Sequence, residues 1–217
     1  AYFDHKDPKG AKQVLLTHMG GALGNNPLLL VAMGQVELTE NKPNDARQRF
    51  ETAISLTKGK DIAIFTAIGK ANLEKHGDAA YGIEKLKMAT AIKGFKDPMT
   101  YIYMGDLYRA LQNGGGAVSS YENALLVDPK SALAKHKIGK VYLTQGNEQR
   151  EIFLQKFSDA ILDDPTFTPA LYDMYSFHFS RDVNLAIKYF NEYKKHAEPG
   201  PALDYEEASL QFASGNF

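Results

Sequence analysis

The chain has 217 residues, 44% of them apolar and 24% charged, with 25 Lys and Arg against 26 Asp and Glu and a formal charge of −1. That balance excludes a disordered chain, and the missing basic excess argues against a nucleic-acid binder that must neutralise phosphates. Cysteine is absent, which excludes disulfides, thiolate metal sites, thiol nucleophiles and iron–sulfur clusters.

In chain order, Ala1-Tyr2-Phe3-Asp4 shows no initiator Met, basic leader or apolar leader core, so the sequence is expected to be a mature or excised piece of something longer. Pro8 to about Leu23 reads as the second helix of a pair. The longest apolar run, Leu28 to Met33, is far short of a membrane span. A pattern then repeats. Leu30-Val31-Ala32-Met33-Gly34, Phe65-Thr66-Ala67-Ile68-Gly69, Tyr101-Ile102-Tyr103-Met104-Gly105 and Lys135-His136-Lys137-Ile138-Gly139 each end in a large apolar residue and a glycine, spaced 35, 36 and 34 residues apart. After each glycine, residues follow at helical spacing: Ala46, Phe50 and Ala53; Gly82, Leu86 and Ala89; Ala117, Tyr121 and Ala124; Phe153, Phe157 and Ala160. A fifth copy, Ala186, Phe190 and Tyr193, follows Tyr175 in the glycine's place. Turn residues lie between the two stretches at 41–45, 77–78, 113–116, 146–147 and 180–182, and Pro129, Pro165 and Pro199 stop the second helix. Each unit reads helix, tight turn, helix, turn, with no alternating strand pattern. Leu203–Ser214 reads as one more first helix, and the sequence stops where a turn is due.

Glycine inside a helix costs about 1 kcal/mol relative to alanine, so four at equivalent places need a reason. The sequence suggests close approach of the paired helix through its small Ala46, Gly82 or Ala117. Phe50, Leu86, Tyr121 and Phe157 would then fill the space towards the next unit. Such a unit cannot bury its own apolar face and must stack on neighbours.

These residues resemble the tetratricopeptide repeat family. Tyr101, Met104, Gly105, Tyr108, Ala117, Tyr121, Ala124 and Pro129 match its sparse consensus at nearly every position, and Tyr108 recurs as Tyr142. Glu37 and Asn72 depart from it in the first two repeats. The resemblance implies an all-α fold, a right-handed α-α superhelix forming a single solenoid over 1–217. Five full repeats are expected at 27–61, 62–97, 98–131, 132–167 and 168–201, with partial repeats at 1–26 and 202–217. The sequence also resembles repeat arrays of exported Bacteroidetes proteins, which favours an exported or periplasmic setting over a cytoplasmic one.

A catalytic constellation is not legible. Gly69-Lys70 and Gly139-Lys140 fail as phosphate loops, because Ile64 and Ala134 stand where glycine is needed and Ala71 and Val141 where Ser or Thr is needed. Gly114-Gly115-Gly116 is expected to be a tight turn between helices. His5, His18, His76, His136, His178 and His196 lack the i, i+4 pairing of a helical zinc site. Asp163-Asp164 before Pro165 reads as helix-end chemistry. The expectation is a protein that is not an enzyme and needs no metal or cofactor.

Members of the family line a concave groove with the first helices of successive repeats, where an extended peptide or a partner's helix lies. Carried over, the resemblance selects Lys70; Tyr103, Asp106 and Arg109; His136, Lys137 and Lys140; and Tyr172 and Phe179, with Ile102 and Asp173 on the same faces. Aromatic anchors flanked by positive charge suit an acidic or carboxylate-bearing segment. The Lys, Asn and Arg clamp of the chaperone-binding members is missing, because the matching faces offer Val31, Gln35, Ala67, Met99 and Tyr103. The expected function is a non-catalytic protein-interaction scaffold, with neither a small-molecule ligand, nucleic acid nor a membrane span. Three alternatives stay open: an assembly subunit of a bacterial envelope machine (secretion, motility or polysaccharide export), a helical repeat that reads single-stranded RNA, and an enzyme whose catalytic domain lies outside this stretch. The charge balance disfavours the RNA reading.

Overall fold

The structure, a computed structural model, describes residues 7–19 and 24–215. The expected helix end near Leu23 and the histidine at position 5 lie outside the described residues. Among the described residues there are α-helices, one short 3-10 turn at Asn147–Gln149 and no strand. The chain divides into two compact units. The first, through Val127, holds α1 (Pro8–Met19), α2 (Pro27–Thr39), α3 (Pro43–Leu56), α4 (Ile62–Ala71), α5 (Ala79–Thr90), α6 (Pro98–Ala110) and α7 (Gly114–Val127). The second, from Asp128, holds α8 (Ala132–Thr144), α9 (Arg150–Asp163), α10 (Thr168–His178), α11 (Val183–His196) and α12 (Pro201–Ala213).

Helix starts follow from local chemistry. Proline occupies the first or second position of α2, α3, α6, α10 and α12, where its missing N–H is no loss. The side chains of Asn26, Asp61, Asp78, Asp97, Ser131 and Asp182 accept hydrogen bonds from first-turn N–H groups. Three helices end in left-handed caps without glycine, at Asn41 (φ 61), Lys58 (φ 55) and Gln112 (φ 57). The next residue in each case donates back into the helix: Lys42 to Glu37 (2.8 Å), Gly59 to Ile54 (2.9 Å) and Asn113 to Tyr108 (2.9 Å). Helix α9 stops where Pro165 holds Asp164 extended, and Asp164 Oδ1 accepts from Thr166 N at 2.9 Å and Thr166 Oγ1 at 2.7 Å.

Packing runs between sequence neighbours. In the first unit α2 pairs with α3, α4 with α5 and α6 with α7, while α2 meets α4, and α4 and α5 meet α6. In the second unit α8 pairs with α9 and α10 with α11, while α9 meets α10 and α11 meets α12.

Gly34, Gly69, Gly105 and Gly139 lie inside α2, α4, α6 and α8, but the contact they permit differs from the one expected. A Cβ at these positions would overlap Phe50, Leu86, Tyr121 and Phe157 respectively. The bare backbone therefore admits the large residue of the partner helix within the same pair, which the sequence had turned towards the next unit. The small Gly82 faces both ways: a Cβ there would lie 2.8 Å from Leu107 of α6, 2.9 Å from Asn72 at the end of α4 and 3.5 Å from the Gly69 carbonyl oxygen. The glycine triplet is also corrected. Gly114–Gly116 forms the first turn of α7, with Asn113 Oδ1 accepting from Gly116 N at 2.8 Å. The Tyr108 ring packs over Gly116, where a Cβ would come within 2.8 Å of it.

The departures from the consensus are satisfied locally in part. Glu37, buried in α2, receives Arg49 Nε on Oε1 at 2.6 Å, while its Oε2 is buried with no hydrogen-bond partner among the described residues. Asn72, also buried, donates to the Ile68 carbonyl at 2.9 Å and accepts from Asp78 N at 2.9 Å. In the fifth pair the Tyr175 ring packs against that of Phe190 at a tilt of 54°, ring centroids 5.0 Å apart, instead of opening a slot for it.

Candidate partner-binding faces

In the first unit α4 and α6 border an open hollow of about 600 Å³ lined by Ala63, Thr66, Ala67, Lys70 and Tyr103. Lys70 is exposed, with Nζ 5.9 Å from the Tyr103 ring centroid, the outer range of a cation–π contact. Thr100 donates to Asp97 Oδ2 at 2.7 Å, so its oxygen accepts the Thr66 hydroxyl, also at 2.7 Å, and the two helices are tied. Asp61 and Asp97 cap α4 and α6, which commits their carboxylates to backbone N–H groups. Asp106 faces its own pair: its Oδ1 accepts the Tyr121 hydroxyl at 2.7 Å. Burial, then the Asp106 charge and that hydrogen bond, push the Tyr121 phenol up, and the nearby Arg109 opposes the rise. Arg109 itself is exposed on α6, whereas Ile102 is buried and does not face a groove.

In the second unit His136 Nε2 and Lys140 Nζ of α8 reach Asp173 of α10 at 2.7 and 2.9 Å. The His136 ring lies 5.4 Å from both Phe157 and Phe167. Burial would raise the Asp173 carboxyl, but the hydrogen bonds from His136 and Lys140 outweigh it and hold that group below its ordinary value. Lys135 pairs with Asp163 at the end of α9, and Lys137 sits half-buried on α8. Lys140, one of the cations expected to meet an acidic partner, is thus directed at Asp173 together with the His136 ring. Tyr172 is exposed and Phe179 half-buried; both line a second hollow, against α12.

The structure therefore brings the selected residues together in small sets: Lys70 with Tyr103, His136 with Lys140, and Tyr172 with Phe179. The role of Asp173 as the acceptor between α8 and α10 escaped the sequence reading, as did Glu206 of α12. Each stands about one repeat period after the residue it faces, and that interval was the available signal. Among the described residues no group of three His, Asp or Glu is placed to hold a metal ion, and no helix is long and apolar enough to cross a membrane.

Paired helices of this length, small residues at the crossings and stacking of successive pairs define the tetratricopeptide repeat fold. Solved structures of that fold superimpose over most of the chain. They include PilW, a type IV pilus biogenesis factor (TM-score 0.68, 13% identity, covering 94% of this chain and 93% of that one). A tetratricopeptide repeat protein from Parabacteroides merdae matches at TM-score 0.63 with 19% identity, covering 99% of this chain and 83% of that one. PilF from Pseudomonas aeruginosa matches at TM-score 0.61 with 14% identity, covering 95% and 92%. No protein-family model and no curated protein matches the sequence.

Proposed function

We propose that the chain is a non-catalytic protein-interaction scaffold that takes a peptide or a partner's helix on the outward faces of its first helices. The observation that carries this reading is the hollow between α4 and α6, where a half-buried aromatic, Tyr103, stands beside the exposed cation Lys70 over apolar walls. A rigid ring next to a cation anchors an acidic or carboxylate-bearing segment, because the ring gives area at little entropic cost while the charge fixes orientation. Affinity capture from a lysate of the source organism tests it. Wild type should retain a specific partner, and Tyr103→Ala and Lys70→Glu should each weaken that complex by about 2 kcal/mol, roughly 30-fold. Lys137→Glu probes the same property in the second unit. No specific partner, or variants indistinguishable from wild type, would count against it. Filter binding at low salt addresses the RNA alternative, and retention of RNA by wild type would favour it.

The fold likeness to a type IV pilus biogenesis factor supports a second reading, an assembly subunit of a bacterial envelope machine. Capture of envelope components by the same bait would support it.

A further inference from the structure

Tyr172 and Tyr175 of α10 and Phe179 just past its end, with Tyr205 and Glu206 of α12, surround an open hollow of about 280 Å³ in the second unit. Its rings meet at steep angles: Tyr175 lies 5.9 Å from Tyr172 at 65° and 5.8 Å from Phe179 at 88°. Tyr175 is buried, while Tyr205, 74% exposed, stands at the rim. Glu206 contributes a second and independent oddity. Its Oε2 atom is buried and has no hydrogen-bond partner among the described residues, a condition that costs about 1–3 kcal/mol for a polar group and more for a charged one. The neighbouring cation does not relieve it, because Lys194 Nζ goes to both oxygens of Glu207 at 2.6 Å. The Glu206 charge is felt across the hollow. The phenols of Tyr172, Tyr175 and Tyr193 are raised by burial first and then by the Glu206 carboxylate; Tyr175 is pushed up to about 12.

We infer that this hollow is a seat for a primary alkylammonium group, the head of a lysine side chain presented by a protein partner. Ring faces attract a cation through their quadrupoles, and an orphaned carboxylate oxygen calls for a donor with an N–H. A quaternary ammonium has no N–H to give. A guanidinium fork needs two acceptors side by side, and the hollow offers one buried, unpartnered carboxylate oxygen. A primary ammonium satisfies both demands at once. The inference goes beyond the scaffold reading, since it concerns a different hollow and a ligand of opposite charge.

The test is an NMR titration of the 217-residue protein at low salt with Nα-acetyl-lysine methylamide, following the backbone amides of residues 205–209. Saturable shifts are expected, and the Nε-acetylated probe should bind about tenfold or more weakly, because it loses both the charge and the ammonium donors. The trimethyl-lysine and arginine probes should also bind more weakly than lysine. Glu206→Gln keeps the side-chain size and should abolish the preference for lysine over its acetylated form. Tyr205→Ala, at a mostly exposed position, should weaken binding several-fold with an unchanged circular dichroism spectrum, and it decides the matter if Glu206→Gln does not fold. Equal binding of the acetylated probe, tighter binding of the trimethyl or arginine probe, or wild-type affinity in both variants would overturn the inference. Tyr103→Ala should leave lysine binding intact, so failure of the scaffold reading and failure of this one are told apart.

Discussion

A methyl group added at Gly105 has nowhere to go. The Tyr121 ring that it would strike is fully buried and tethered through its hydroxyl to Asp106 at 2.7 Å, so the ring cannot swing aside. Gly105→Ala gains about 1 kcal/mol of helix propensity and meets an overpacking cost of about 1–3 kcal/mol or more. The expected net is a loss of about 1–2 kcal/mol, read as a lower urea midpoint at unchanged slope. An unchanged or higher midpoint would show that the ring yields. The glycine period was legible in the sequence because it recurs without exception through four pairs. Which residue fills the slot was not, because Ala117 and Tyr121 stand about one turn apart on the same face, and spacing alone does not say which of them reaches the crossing point.

Between elements, the recurring device is a contact spanning one repeat period from one first helix to the next. Thr66 meets Thr100, Lys70 meets Tyr103, and Lys140 meets Asp173. These pairs could have been read from the sequence by sliding it against itself by one period and asking which side chains complement each other. Reading the groove faces one helix at a time hid them. The helices, their order and their prolines were legible, because capping and proline chemistry act within a few residues; the charge pairing was legible only as a set of candidates one period apart, because the rotation of neighbouring helices decides which of them meet. Asp173→Asn preserves shape but removes the acceptor that His136 and Lys140 share, and should cost about 1–3 kcal/mol at neutral pH. The sign with pH follows from the depressed carboxyl of Asp173. Its contribution is full above the unfolded-chain value near 4 and disappears as pH falls through the lower folded value. Urea unfolding at stepped pH should therefore show the gap between wild type and Asp173→Asn at pH 7 and see it close below about pH 4. A gap that stays the same from pH 7 down to pH 2 would mean that the interaction is not ionic.

At the scale of the whole molecule, helices pack on their neighbours in sequence, so stability is a sum of local terms coupled to the next pair. Within the first unit, hydrogen exchange in Gly105→Ala should speed up most in α6 and α7, less in α5 and least in α2. Uniform acceleration across those helices would mean that the unit opens as one block. The left-handed corners at Asn41, Lys58 and Gln112 follow the same local logic. Each places an exposed side chain where the backbone favours glycine, at a steric penalty of about 1–2 kcal/mol that a polar asparagine escapes best. The native state thus carries avoidable tension at two of its bends, and the array sits below the thermal ceiling that its core would permit. That slack is open to an engineer without touching either hollow.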